Sequence, residues 1–136
     1  MPQTRNNPVL DASALLAYLN DESGAENVEK TMAVGAVMSA VNWAEVLSKV
    51  AEAGVAPERL AFELEKQGIL GNTLELLPLT VEDSLEIARL RVSTKPLGLS
   101  LGDRACLALA KRLTVPVVTA DRVWAEVPEV HVILIR

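Results

Sequence analysis

Four acidic residues stand where short apolar runs give way to helical patterns: Asp11 after Val9-Leu10, Glu45 after Ala36–Ala40, Asp103 at the head of the Ala/Leu-rich stretch 100–112, and Asp121 after Pro116-Val117-Val118. Parallel strands joined by crossovers point their carboxyl ends the same way, so groups borne there converge although they are far apart in sequence. Clustered carboxylates repel and raise one another's pKa values, a cost that a divalent cation removes. Oxygen-only ligands suit Mg²⁺ or Mn²⁺ and suit zinc or copper poorly. Such a site activates water and stabilises charge on a phosphoryl group in an in-line displacement. Metal-assisted phosphodiester hydrolysis is therefore the chemistry these residue types support.

Each acid also has a structural reading. Asp11 can cap a helix. Asp103 follows Ser100 at capping-box spacing, and Glu45 has Lys49 four residues on for an ion pair. Thr80 and Asp83 repeat the capping-box spacing in a stretch with no chemical partner, where a purely structural role is expected.

Other chemistries are excluded by composition. The single cysteine, Cys106, has no partner for a disulfide or zinc site and is expected to be a small core residue. The single histidine, His131, sits in a Val/Ile-rich terminal segment and is expected in a strand without chemistry. The net charge of −5 argues at first against a nucleic-acid partner. It is uneven, however: residues 101–136 carry +1, which leaves −6 for residues 1–100, and a carboxylate-lined metal site itself produces an acidic balance.

The elements that must position the acids follow from periodicity. Strands are expected at Val9-Leu10, Ala36–Ala40, Thr73–Leu79, Pro116–Asp121 and Val130–Ile135. Helices are expected over Ser13–Leu19, from Ser23 as cap to about Lys30, over Val41–Ala51, from Pro57 to near Gly68, from Thr80 through Leu90, and over Ser100–Arg112. Phe62, Leu60 and Leu64 supply apolar contacts to one of these helices, and Leu85, Ile87, Ala88 and Leu90 to another. With 136 residues, half of them hydrophobic, and no dividing linker, the chain fits one domain spanning 1–136. Alternating strands and helices predict a three-layer α/β/α sandwich with a mainly parallel sheet. The most apolar run, Met32–Val41, is too short to span a bilayer, and no secretory signal is evident, so a cytoplasmic protein is expected.

Val9-Leu10-Asp11-Ala12-Ser13, Asn42-Trp43-Ala44-Glu45-Val46, the run Leu99–Ala110 containing Gly102-Asp103-Arg104-Ala105-Cys106, and Val118–Trp124 together resemble the four acidic motifs of PIN-domain ribonucleases, and more closely those of VapC toxins from toxin–antitoxin modules. The resemblance spans essentially the whole chain. It implies an endoribonuclease that uses Mg²⁺ or Mn²⁺, works as a homodimer and is held inactive by a VapB-type antitoxin. On matching positions it implies that Asp11, Glu45, Asp103 and Asp121 form the metal site and that Ser13 and Thr119 orient carboxylates or water. Arg104 and Arg122 are then candidates for contact with RNA phosphates, while Trp43 and Trp124 are expected to pack. The alternatives are a binding module that kept the fold and lost catalysis, or another Mg²⁺-dependent phosphohydrolase. A haloacid-dehalogenase-type phosphatase would need an acid where Ser13 stands, and a receiver-type signalling domain would need paired acids at the first strand end.

Overall fold

In the computed structural model, which describes residues 6–136, five strands form one sheet. They are β1 (Val9–Leu10), β2 (Ala36–Ser39), β3 (Leu74–Leu77), β4 (Val117–Thr119) and β5 (Val132–Leu134). Their order is β3-β2-β1-β4-β5, and every neighbouring pair is parallel. Six helices connect them: α1 (Ala12–Leu19), α2 (Ala25–Val34), α3 (Ala40–Glu52), α4 (Pro57–Lys66), α5 (Val81–Ser93) and α6 (Leu101–Leu113).

Strand alternation divides the core between two faces. Val9, Val37 and Val117 face a cluster with Ile87, Leu90, Leu107 and Trp124, from α5, α6 and the 3₁₀ turn Arg122–Glu126. Leu10, Met38 and Val118 face the opposite way, against Leu15, Val28, Trp43, Val46 and Leu64 from α1 to α4. This is the expected three-layer sandwich, and both tryptophans pack within it. Because the chain leaves β1 toward β2 on one side and returns to β4 on the other, the sheet changes direction at β1 and β4. In open α/β sheets the crevice beyond such a switch point is where ligands bind.

Several local expectations are corrected. Ser23 does not cap α2: the N-cap is Gly24 at φ 94°, and the helix continues to Val34. A Cβ at Gly24 would lie 2.6 Å from the Ile135 carbonyl oxygen, so close approach of the C-terminal segment, rather than a cap side chain, sets this helix start. Phe62 on α4 and Leu85 on α5 are exposed rather than packed. His131 lies just before β5, and its carbonyl accepts from the amide of Val117. Cys106 is buried as expected, its thiol directed at the Leu10 carbonyl. Burial, joined by the charges of Asp11, Asp103 and Glu45, pushes that thiol well above its ordinary pKa, so it is inert. Among the described residues no helix is long and apolar enough to cross a membrane.

Candidate metal centre

β1 ends at the centre of the sheet, and Asp11 is the next residue. The pairing of Leu10 with Val118 sets Asp11 beside Thr119, and its amide donates to the Val118 carbonyl at 3.1 Å. Asp11 is also the N-cap of α1, with Oδ1 accepting from the Ala14 amide at 2.8 Å. The capping and chemical readings are therefore compatible. Thr119 Oγ1 donates to Asp11 Oδ2 at 2.5 Å, and Ser13 Oγ reaches Oδ1 and Oδ2 at 2.8 and 3.0 Å. Those two hydroxyls also accept from the β4 terminus: Ala120 N donates to Ser13 Oγ and Asp121 N to Thr119 Oγ1, each at 3.0 Å. Ser13 and Thr119 thus orient the Asp11 carboxylate and tie it to the segment that carries Asp121.

The other three acids are held in the same manner, by one oxygen each. Asp103 is the third residue of α6, and its Oδ2 accepts from the Ser100 amide at 3.0 Å while Ser100 Oγ caps the helix. Asp121 caps the 3₁₀ turn through Oδ1, which accepts from Val123 N at 3.1 Å. Glu45 lies in the second turn of α3 rather than the first, and its Oε1 accepts from Asn42 Nδ2 at 2.9 Å. The expected Glu45–Lys49 ion pair is not among those of the described residues.

Asp11, Glu45, Asp103 and Asp121 line a single cleft of about 230 Å³ together with Ala12, Ser13, Leu16 and Lys49. None of the four acids takes part in an ion pair among the described residues. Nor, among those residues, do three acids already close on one point as a finished cage. The donor set fits Mg²⁺ or Mn²⁺: all donors are oxygens, and Asp103, Asp121 and Glu45 each use one oxygen locally and leave the other uncommitted.

Burial pushes the Asp11 carboxyl from 3.8 up to about 6, and the Asp103 charge adds to the rise. Hydrogen bonds from Thr119, Ala14 and Ser13 favour the ionised form but do not overcome burial. A carboxyl that binds its proton more tightly when folded stabilises the fold fully below its unfolded pKa and loses that contribution as pH rises through the folded value. The metal-free protein is thus expected to lose up to about 3 kcal/mol of stability from this group between pH 4 and 7. A bound divalent cation reverses the local sign. Thermal melts should therefore show a larger Mn²⁺-induced rise in Tm at pH 7.5 than at pH 5, and an equal rise at both would remove Asp11 from the ion's surroundings.

Arg122 is exposed beside Asp121. Arg104 Nη1 donates to the Ile87 carbonyl of α5 at 3.1 Å, which joins α5 to α6, and Arg104 is not among the residues that line the cleft. Three contributors carried no chemical signal in the sequence. Lys49 reads there as a partner for Glu45, and Asn42 and Gly102 read as neighbours of acids, because their roles come from contact between α3 and α6.

The family model of the PIN domain matches residues 9–130. No curated protein sequence matches the chain significantly. Among solved structures the chain is similar to DNA-bound VapBC from Salmonella typhimurium, with a TM-score of 0.72 at 18% identity over 96% of this chain and 99% of that one. It is also similar to a toxin–antitoxin complex from Klebsiella pneumoniae, with a TM-score of 0.71 at 16% identity over 95% and 98%. FitAcB from Neisseria gonorrhoeae gives a TM-score of 0.70 at 20% identity over 93% and 96%. At these identities the likeness is one of fold.

Proposed function

This chain belongs to the PIN-domain family, and from that premise we propose that it is a metal-dependent endoribonuclease acting as the toxin of a VapBC-type pair. The observation that carries this reading is the meeting of four carboxylates from four separate segments in one cleft at the carboxyl edge of a parallel sheet, none of them ion-paired among the described residues. Asp83, an acid of the same capping-box kind outside the cleft, is by contrast paired with Arg112.

In this reading Asp11, Glu45, Asp103 and Asp121 hold Mg²⁺ or Mn²⁺. Held there, such an ion would lower the pKa of a water and add charge to stabilise the phosphoryl oxygens. Ser13 and Thr119 keep the Asp11 carboxylate turned into the cleft and restrain the β4 end, so the donor atoms need little reorganisation. Lys49 lines the cleft and Arg122 is exposed beside Asp121, positions from which a cation can meet the phosphates flanking the scissile bond.

The test is cleavage of a cellular RNA pool by purified, partner-free protein with Mn²⁺ or Mg²⁺ and again with chelator. Fragments that appear only with metal are the expected outcome. Absence of fragments from a folded, metal-bound preparation would favour the binding module that kept the fold without catalysis. The toxin reading further expects a homodimer by light scattering and co-purification of a small VapB-type antitoxin when the pair is expressed together. The neighbouring toxin–antitoxin complexes support the expectation of an antitoxin partner.

A further inference from the structure

Glu45 is the one acid of the four whose carboxylate sits at the end of a long, flexible side chain, and something must hold it at the cleft. Asn42, one turn earlier on α3 and 1% exposed, donates from Nδ2 to Glu45 Oε1 and to the Gly102 carbonyl, each at 2.9 Å. Both partners are acceptors, so the amide nitrogen must face them, and one side chain spends its two N–H groups on the carboxylate and on the first turn of α6. Gly102 completes the arrangement. A Cβ there would lie 2.2 Å from Glu45 Oε2 and 2.6 Å from Cδ, so the Glu45 carboxylate occupies the space a side chain would fill. Gly102 is buried in a helix, at a position with no positive φ, where alanine would be the better helix former. Its lack of a side chain serves the contact with Glu45 and not the backbone.

We propose that Asn42 and Gly102 are positioning residues for the metal centre: Asn42 fixes the Glu45 carboxylate from one side, and bare Gly102 leaves it a seat beside Asp103. Neither touches the ion or the RNA. This inference rests on the metal-site reading above, and the experiment separates the failure of one from the failure of the other.

Mn²⁺ binding to metal-free protein is measured by calorimetry for wild type, Gly102→Ala, Asn42→Ala and Glu45→Ala, and for Gly102→Ala and Asn42→Ala each combined with Glu45→Ala. Circular dichroism melts without metal accompany each. Groups that orient metal ligands typically change affinity by about 10- to 100-fold, and that is the loss expected for Gly102→Ala and for Asn42→Ala. Because both act through Glu45, neither should weaken binding further once Glu45 is alanine. Gly102→Ala is expected to melt within a few degrees of wild type, since the added methyl displaces only the end of a flexible side chain. It keeps the test decisive should Asn42→Ala, which removes the side-chain donor to the Gly102 carbonyl, fold poorly. Unchanged Mn²⁺ affinity in Gly102→Ala, or an equal loss in the Glu45→Ala background, overturns the inference. Absence of Mn²⁺ binding in wild type overturns the metal-site reading itself.

Discussion

Asp11→Asn is expected to lower metal-dependent RNA cleavage by at least about 100-fold, more than the loss from removing a group that only orients a ligand, while the protein stays folded. The substitution keeps the side chain's shape and one acceptor oxygen, enough for the Ala14 amide but not for Thr119 as well, and it deletes the charge at the centre of the cleft. It also deletes a carboxylate that burial disfavours, pushed up to about 6. The change in stability therefore opposes the change in activity. Near pH 8 the metal-free variant should melt within a few degrees of wild type or above it, and the Mn²⁺-induced rise in Tm should shrink. RNA cleavage and melts with and without Mn²⁺ check both. Unchanged cleavage would take Asp11 out of the mechanism, and collapse of the metal-free variant would make its role structural.

That Asp11 is buried and hydroxyl-bonded was legible only in part. Val9-Leu10 is too short to assert a strand by itself, yet its position before a helical pattern is enough to put Asp11 at a strand end. Parallel pairing then carries Asp121 to the same edge. Features that depend on a single distant contact were not legible. Ser23 has the right chemistry and spacing for a cap, but the turn it would make is taken by Gly24 because Ile135 passes so close to it. Arg104 adjoins an acid in sequence, yet the helix turns it toward the Ile87 carbonyl. Asn42 meets Gly102 across sixty residues of chain. In each case the residue type was visible and its partner was not.

The sharpest contrast is between two acids with the same local structure. Asp83 and Asp103 are each the third residue of a helix capped by a hydroxyl three residues earlier, and both capping boxes are complete. Capping-box spacing alone does not separate the two; in the sequence only the surrounding motif does. They differ in what meets the carboxylate from outside the helix. Arg112 grips Asp83, with Nε on Oδ1 at 2.9 Å and Nη2 on Oδ2 at 3.2 Å. Burial raises the Asp83 pKa, but the bonds from Arg112 and Thr80 outweigh it and hold the carboxyl below its ordinary range. Asp103 has no such cation and lines the cleft. The two asparagine variants should therefore divide their effects. Asp83→Asn leaves the guanidinium without its counter-charge and should cost about 2 kcal/mol of stability, less than a fully buried pair because Arg112 is partly exposed. Its contribution is present above the unfolded carboxyl pKa and fades as pH falls through the depressed folded value, so the deficit of the variant should narrow in acid. Cleavage and Mn²⁺ affinity should be untouched. Asp103→Asn should do the reverse, with a cleavage loss on the order of 100-fold or more and a small change in stability, because the amide oxygen can still accept from Ser100. Urea unfolding at pH 7.5 and at about pH 3, below the unfolded carboxyl value, set beside Mn²⁺ titration of the same variants, decides it. Equal effects of the two substitutions on metal affinity would mean that the cleft does not distinguish a ligand from a cap.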